Sequence, residues 1–573
     1  PSGWRSEAHE GILMVASSPA IRDVRFSGCW GYPVEMDLDS FPRLSNLSSE
    51  GVDSADISAV HIVGGTMNAG GAWSNPGIPY YLDSSVTVAA DETLVIDPGT
   101  VLKFKVADNI GIYFDRSKLD ARQLGEEPRV FTSIRDDDIC GDTNNDGPSN
   151  GGAGDWGQLR LANTGRPNLG IRDAVFRYAG NGSGNKSVAA VELSFADAEI
   201  VSCTFEQCLG EGVKLDTASI ADIREIVSLR NDVGIRLTGG SEAVVAAWTS
   251  FQDQTAFVVD NAYAELYNSI LAYYSFNGAG GYGVQVLNGG AIDKLCNCDV
   301  WSPWGTKYSD PPGDQTGQCG NISRNPKFVD IFTDNLHLAD DSPCLDKGGD
   351  PNAVYKSCKT VDAGSVVTLK VGTRGSDFLA GDWIAYDGYA PLLRVTAVDV
   401  KNGIVTFAPR QSAATQSGKT VNIYGFGDMD LHPRIGGDDV DMGADEYWPQ
   451  FVDSDCLDVD SPAHDDWQLL GKPECWCGLY GTPPRPYQCD GDADGEDSGV
   501  PFKYRVFTGD LAVIVKNWRK NIADPTLDPC ADLDHEDSGV PFRYRVFTGD
   551  LGVLVSNWRK TAPGLAGDCP RSK

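Results

Sequence analysis

The chain has 573 residues, with 81 acidic and 47 basic side chains, so its formal net charge at pH 7 is −34. This charge argues against nucleic acid or an anionic membrane surface as a partner, and it favours divalent cations as the counter-charge, with solubility alone as the alternative explanation. No run of about 18 consecutive apolar residues is present, so the sequence predicts no membrane span.

The N-terminal part contains short apolar stretches at 11–15 and 20–26, which are typical of strands in a stack of β-coils. Because the first stretch begins so early, the chain looks as though it starts inside a coil. We therefore expect residues 1–75 to form N-terminal rungs of such a stack, and Pro1 to be either a processed start or the edge of a longer polypeptide.

A loop rich in glycine and acidic residues follows, with the sequence Asp142-Thr-Asn-Asn-Asp-Gly147. It matches the beginning of a calcium-binding loop but lacks the distal glutamate and the following helix. The candidate ligands are Asp142, Asn144 and Asp146. A plain acidic turn is the alternative, and the sequence favours neither.

The middle of the chain repeats. Segments that start at Val191, Val213, Ile235 and Phe257 lie 22 residues apart, and each opens with an inward-outward-inward triplet. Coils of this kind stack about 4.8 Å apart, so that backbone groups pair with the coils above and below while inward side chains form apolar ladders. The sequence therefore predicts a parallel β-helix with rungs of about 22 residues over 76–353.

Three charged residues, Glu192, Lys214 and Arg236, occupy the same outward position on successive rungs. We interpret them as a ladder of opposite charges that stabilises neighbouring strands. The alternative is a clamp for a charged polysaccharide, as a lyase would need.

Other segments resemble secreted bacterial right-handed β-helix proteins. Residues 85–105, which include Pro98-Gly-Thr-Val-Leu-Lys-Phe104, resemble the first coils of that family, and 325–346 resemble its closing segment. The resemblance implies a right-handed helix, with 426–450 as the rest of its closing segment. Residues 354–425 alternate apolar and polar side chains and predict a small inserted β-barrel-like domain. The expected fold class is thus mainly β.

Residues 451–488 are rich in Pro, Cys, Trp and Asp without a sustained period, which indicates a linker pinned by disulfides. The 15 cysteines of the chain are irregularly spaced, and Cys475 and Cys477 stand too close for the usual Cys-x-x-Cys zinc pairing. This pattern is typical of an oxidising compartment, so we expect an extracellular or cell-surface location.

The C-terminal part is duplicated. Segment 496–510 recurs as 536–550, and over 25 residues only four positions differ between the copies. An Asp-x-Asp pair precedes each copy and an aspartate closes it, a spacing that points several carboxylates at one centre, as Ca²⁺ requires. The predicted ligands are Asp490, Asp492, Asp494 and Asp510 in the first copy and Asp532, Asp534 and Asp550 in the second.

Each closing aspartate opens an amphipathic helix with apolar residues at i, i+3, i+4 and i+7. In the first copy these are Leu511, Ile514, Val515 and Trp518. Two such loop-and-helix units over 489–573 resemble dockerin, which implies bound Ca²⁺ and a cohesin-like protein partner. Both loops differ from those of the family by an inserted segment, which is 500–507 in the first copy and recurs at 540–547 in the second. Two solvated acidic turns before surface helices are the alternative.

The sequence therefore predicts an extracellular calcium-binding structural or adhesion protein. The β-helix would be a rigid scaffold, and the dockerin-like module would dock to a cohesin-like partner or to another copy of the chain, giving a homo-oligomer, filament or surface layer. The alternative is a carbohydrate-active β-helix enzyme, a polysaccharide lyase or glycosidase, with polysaccharide as its partner. No catalytic residue is predicted, and the six histidines stand in no metal-ligand spacing.

Overall fold

The computed structural model forms two compact units, Pro1–Tyr447 and Trp448–Lys573. The residues that it describes are 11–27, 31–50, 57–123, 127–164, 170–184, 186–275, 280–349, 356–365, 367–378, 380, 382–386, 393–408, 415–425, 441–445, 476, 493, 506, 508–520, 527–533 and 544–560. Among these, strands dominate the first unit, and both α-helices belong to the second.

Short strands run through the first unit. Strands β1 to β12 are Ile12–Met14, Ala20–Arg22, Arg25–Ser27, Val34–Met36, Arg43–Ser45, Ser48–Glu50, Val60–Ile62, Gly65–Met67, Gly71–Trp73, Tyr80–Leu82, Val86–Val88 and Thr93–Ile96. Strands β13 to β24 are Val101–Phe104, Ile112–Asp115, Lys118–Ala121, Arg129–Ser133, Leu159–Thr164, Gly170–Arg177, Asn181–Gly182, Lys186–Ser187, Val191–Glu206, Glu211–Asp216, Ile220–Arg224 and Val227–Leu229. Strands β25 to β36 are Val233–Thr238, Glu242–Ala246, Thr249–Phe251, Thr255–Asp260, Tyr263–Tyr267, Ile270–Ala272, Tyr282–Leu287, Ala291–Cys296, Asp299–Trp301, Thr306–Tyr308, Phe328–Asp330 and Asn335–Leu338.

Within the described residues, 28 of these strands join in one long sheet. From β22 to β34 they fall into groups of three, which we call rungs. Each strand from β22 to β31 pairs in parallel with the strand three positions later, as β22 does with β25 and β23 with β26. The chain is thus mainly β with a long parallel sheet of many strands. This confirms the coarse fold prediction and is compatible with a parallel β-helix.

The register of the sheet follows the repeat in the sequence. Val191 lies opposite Val213, Val213 opposite Ile235, and Ile235 opposite Phe257. All four side chains are fully buried in the main hydrophobic cluster. Each such side chain contributes about 1.5–3 kcal/mol when it leaves water, so the ladder is a large stabilising element.

Aromatic side chains stack in the same way. The rings of Phe131 and Phe176 have centroids 4.5 Å apart, and those of Phe176 and Phe205 are 5.2 Å apart, with the planes of each pair nearly parallel. The three residues are direct neighbours in the parallel register. The strand spacing therefore produces the stacking distance.

A second apolar cluster covers the opposite face of β24, β27 and β30. Leu271 points into the main core, whereas its neighbours Ile270 and Ala272 belong to the second cluster. Phe328, Leu336 and Met442 are among the residues that cover them. The segment 441–445 is the described part of 426–450, the rest of the predicted closing segment, and it lies on the sheet through a hydrogen bond from Gly443 N to Asn268 O of 2.7 Å.

A separate antiparallel sheet follows the long one. Its seven strands, β37 to β43, are Lys356–Lys359, Asp362–Ser365, Thr368–Lys370, Trp383–Tyr386, Leu393–Asp399, Ile404–Ala408 and Thr420–Gly425, with a 3-10 helix at Gly372–Asp377. The sheet has its own hydrophobic cluster. Arg172 of the long sheet lies 3.1 Å from Glu199 and 3.4 Å from Asp382 of this domain. Closure of the sheet into a barrel stays a prediction.

In the second unit, the described helices are α1 at Thr508–Asn517 and α2 at Thr548–Ser556, with a 3-10 turn at Pro529–Ala531. Among the described residues, the core of this unit contains Ala531 and three pairs of equivalent residues from the two copies. These pairs are Ala493 with Leu533, Val506 with Val546, and Ile514 with Leu554. The duplicated sequence therefore contributes equivalent residues from both copies to one small core.

Candidate calcium and binding sites

Asp550 holds the second copy of the C-terminal repeat together. It lies in the first turn of α2, where a negative charge is stabilised by the helix dipole. One carboxylate oxygen accepts a hydrogen bond from Phe547 N at 2.8 Å, and the other accepts one from Leu533 N at 2.6 Å. Asp550 therefore lies next to Leu533, the residue that follows Asp532. A calcium site that uses both aspartates would require this proximity.

Asp532 is fully buried and is paired with a buried arginine. Its Oδ2 accepts a hydrogen bond from Arg545 Nε at 2.7 Å and lies 2.6 Å from Arg545 Nη2. The guanidinium also lies 5.6 Å from the ring centroid of Trp476, within the range of a cation–π contact. Arg545 was not predicted from the sequence, although an arginine recurs at the same place in both copies of the inserted segment.

The remaining predicted C-terminal ligands are only partly visible. Asp510 lies in the first turn of α1 and is fully buried, as its equivalent Asp550 is. Asp490, Asp492, Asp494 and Asp534 lie outside the described residues. Among the residues that the structure describes, no group of three or more His, Cys, Asp or Glu side chains is arranged to hold a metal ion. The calcium assignment stays a prediction.

The two copies contact each other reciprocally. Arg519 N, just beyond α1, donates to Val546 O at 2.8 Å, and Arg559 N, just beyond α2, donates to Val506 O at the same distance. Both arginines have a left-handed backbone, with φ near +60°. The two helices therefore end in the same backbone conformation, and each copy provides the hydrogen-bond acceptor for the other.

The helices differ from the predicted amphipathic pattern at one position. Ile514 is buried, whereas Val515 is 65% exposed and its equivalent Val555 is 63% exposed. The prediction that Val515 belongs to the buried face is wrong, because the buried face of α1 runs through Asp510, Ile514 and Asn517, and Val515 lies outside it. Each helix thus presents an apolar side chain at the surface at the same place.

The loop around Asp142 forms a turn through its own side chains. The carboxylate of Asp142 accepts hydrogen bonds from Asp146 N at 3.2 Å and from Gly147 N at 3.0 Å. The side-chain amide of Asn144 donates to Asp146 Oδ2 at 2.8 Å. The three predicted ligands therefore lie in one loop, an arrangement that both a calcium loop and a plain acidic turn would have.

A buried lysine anchors this loop. Lys103 Nζ donates to the carbonyl oxygens of Asp136 and Gly141 at 2.9 and 3.0 Å, and to Thr143 Oγ1 at 2.7 Å. Burial lowers the pKa of this ammonium group, against the opposing effect of nearby acidic groups. Because Lys103 is fully buried with its three donors engaged, it fixes the loop to the sheet.

A histidine occupies a neighbouring outward position on the same face. His61 lies in register with Tyr81, which in turn lies in register with Lys103. Its Nδ1 is 2.9 Å from Glu35 Oε2 and its Nε2 is 3.4 Å from Asp83 Oδ1. The two carboxylates stand on opposite sides of the ring, so they cannot hold one metal ion together with it.

The charged column of the sheet has different partners from those predicted. Glu192, Lys214 and Arg236 do lie in register. However, Glu192 pairs with Arg160 at 3.1 Å, and Arg236 pairs with Glu211 at 2.7 Å. The expectation that these three residues pair with one another was wrong, because each of the two has a closer partner. Arg160 lies beside Glu192 on the neighbouring strand β17, and Glu211 lies at the start of β22.

An open groove lies farther along the long sheet. It has a volume of about 480 Å³ and is lined by four carboxylates and by apolar and aromatic side chains. Ile220, Glu242 and Tyr263 lie on successive strands in one row, and the ring of Tyr263 is 50% exposed. Asp222 pairs with Arg224 at 2.6 Å. An aromatic face between acidic side chains is suited to a hydroxyl-rich or cationic ligand.

Comparison with known proteins found no protein-family model, no curated protein and no solved structure that matches the chain. Among the described residues, none of the helices is long and apolar enough to cross a membrane.

Proposed function

We propose that the chain is an extracellular or cell-surface scaffold protein, in which a right-handed parallel β-helix carries a dockerin-like calcium-binding module. The module would dock to a cohesin-like protein or to another copy of the chain, which could extend into a filament or surface layer. The single observation that carries the calcium proposal is the contact of Asp550 with Leu533 N, because it brings the closing aspartate of the loop beside Asp532.

The chemistry of the described donors fits Ca²⁺. Asp510, Asp532 and Asp550 are fully buried carboxylates, and hard oxygen ligands of this kind are the ones that Ca²⁺ prefers. Buried carboxylates carry a large desolvation cost that a bound cation offsets. A bound Ca²⁺ would supply structural charge neutralisation and no reaction step.

The extracellular part of the proposal is supported by disulfides. Cys296 and Cys319 form one, and Cys530 is also disulfide-bonded. Stable disulfides are typical of oxidising compartments. The docking part is supported by the exposed Val515 and Val555, since equivalent apolar side chains on two helices offer a partner a repeated contact.

The test is calcium titration of the chelator-treated full chain by isothermal titration calorimetry. We expect saturable binding, which Asp550→Asn weakens at least tenfold at one site. Asp362→Asn, which removes an exposed carboxylate from the seven-stranded sheet, is the control and should leave binding unchanged. Absence of saturable binding in millimolar calcium would refute the calcium proposal.

A second candidate function, polysaccharide binding with or without cleavage, is favoured by the groove beside Tyr263. An exposed aromatic ring stacks against sugar faces, and carboxylates such as Glu242 accept hydrogen bonds from hydroxyl groups. Affinity electrophoresis against neutral and acidic polysaccharides, with assays for new reducing or unsaturated ends, tests it. Tyr263→Ala should abolish any retardation, whereas Phe332→Ala, which removes an aromatic ring that is 90% exposed elsewhere, should not.

A further inference from the structure

The buried ion pair of Asp532 with Arg545 places a positive charge on a carboxylate that the proposed calcium site also needs. Both side chains are at most 2% exposed, and the guanidinium meets Asp532 Oδ2 through Nε and Nη2 at 2.7 and 2.6 Å. The guanidinium is therefore a neighbouring positive charge that partly neutralises this carboxylate.

Calcium and Arg545 would compete for the carboxylate of Asp532. Ca²⁺ binds carboxylate oxygen at about 2.3–2.6 Å, whereas a guanidinium within hydrogen-bonding distance withdraws charge from that carboxylate and repels a second cation. Because the pair is buried, solvent screens this repulsion little. A calcium ion at Asp532 must therefore either weaken the ion pair or bind next to a positive charge.

We propose that Arg545 is a built-in competitor for calcium, which lowers the calcium affinity of the second copy by pairing with Asp532. This inference rests on the proposed calcium function and concerns the regulation of that same site. The cation–π contact with Trp476 holds the guanidinium in place. Calcium would thus bind at Asp532 only at a concentration high enough to overcome the positive charge of Arg545.

The test is a calcium titration of the full chain by isothermal titration calorimetry, in a background with Asp492→Asn, which removes a ligand predicted for the first copy. Arg545→Gln keeps a hydrogen-bond donor but removes the charge, and it should tighten calcium binding at least tenfold. Arg545→Lys keeps the charge but loses the two-point contact, and it should tighten binding by a smaller factor. Circular dichroism verifies that each variant is folded; if the Gln variant is not, the Lys variant decides.

The matched control is Arg559→Gln, which removes an exposed positive charge from the same copy. It should change calcium affinity less than twofold. The inference is overturned if the parent chain binds calcium and the folded Arg545 variants bind it equally or more weakly. Absence of binding in the parent and in every variant would instead overturn the proposed calcium function. Binding by Arg545→Gln alone would support the competition strongly.

Discussion

The stacked phenylalanines offer a direct test of how the long sheet is stabilised. Phe176 is fully buried and lies between Phe131 and Phe205, with ring centroids 4.5 and 5.2 Å away. Truncating a buried Phe to Ala costs about 3–5 kcal/mol, which includes the cavity that remains. Each lost aromatic contact adds about 0.5–1.5 kcal/mol. We therefore expect Phe176→Ala to lower the free energy of unfolding of this region by about 4–8 kcal/mol.

The assay is urea denaturation of the full chain followed by far-ultraviolet circular dichroism, with Phe332→Ala as the control. Phe332 is 90% exposed, so its truncation should change the free energy of unfolding by less than about 0.5 kcal/mol. A double-mutant cycle of Phe176 with Phe205 should give a coupling of about 0.5–1.5 kcal/mol. A loss below about 1 kcal/mol for Phe176→Ala would refute the idea that the aromatic stack supports the sheet.

Three further outcomes follow from buried polar groups. Burial raises the pKa of Asp253 to about 6 from 3.8, so the folded chain binds this proton more tightly than the unfolded chain does. Protonated Asp253 therefore stabilises the fold by about 3 kcal/mol below about pH 3.8, and this stabilisation disappears as the pH rises through 6. Asp253→Asn should flatten this dependence in urea melts between pH 4 and 7, and an unchanged slope would contradict the assignment. Burial likewise raises the pKa of Cys203, Cys208 and Cys298 to about 12, so a thiol reagent at pH 8 should modify them only after denaturation, as peptide mass spectrometry can show. Arg172→Met removes this partner from the buried Asp382 and from the partly buried Glu199, and it should destabilise the first unit by about 3–5 kcal/mol in thermal or urea unfolding; a change under 1 kcal/mol would argue against a structural role for the ion pair.

The inward ladder could be predicted from the sequence because it depends on spacing alone. Residues 22 apart, such as Val213 and Ile235, must meet when coils of that length stack. The outward contacts could not be predicted in the same way. Arg236 had a like-charged neighbour in register, and it pairs instead with Glu211, whose position depends on how the chain enters β22.

The residues that cover the outer face of the sheet could not be predicted from the sequence either. Ile270 and Ala272 alternate with the inward Leu271 and look like an ordinary fully buried strand. Their partners, such as Met442, come from a segment more than 150 residues later, and no local pattern links the two.

At the C-terminal module, the predicted aspartates were found from duplication and charge alone. Of these, Asp550 accepts a hydrogen bond from the backbone N–H of Leu533, the residue that follows Asp532. Arg545 was missed because an arginine is usually a surface residue, and only the fold reveals that this one is buried. Val515 was assigned to the wrong face because the apolar residues alone do not show where the buried stripe is centred, and the stripe also contains the polar residues Asp510 and Asn517.

The reciprocal hydrogen bonds of Arg519 and Arg559 have a consequence for assembly kinetics. A single copy of the repeat would leave its valine carbonyl and its arginine amide to be satisfied by water or by a separate molecule, so its folding would depend on protein concentration. Joining two copies in one chain turns that encounter into an intramolecular step with a high effective concentration. The module can therefore form at a very low protein concentration, at a rate that dilution does not change.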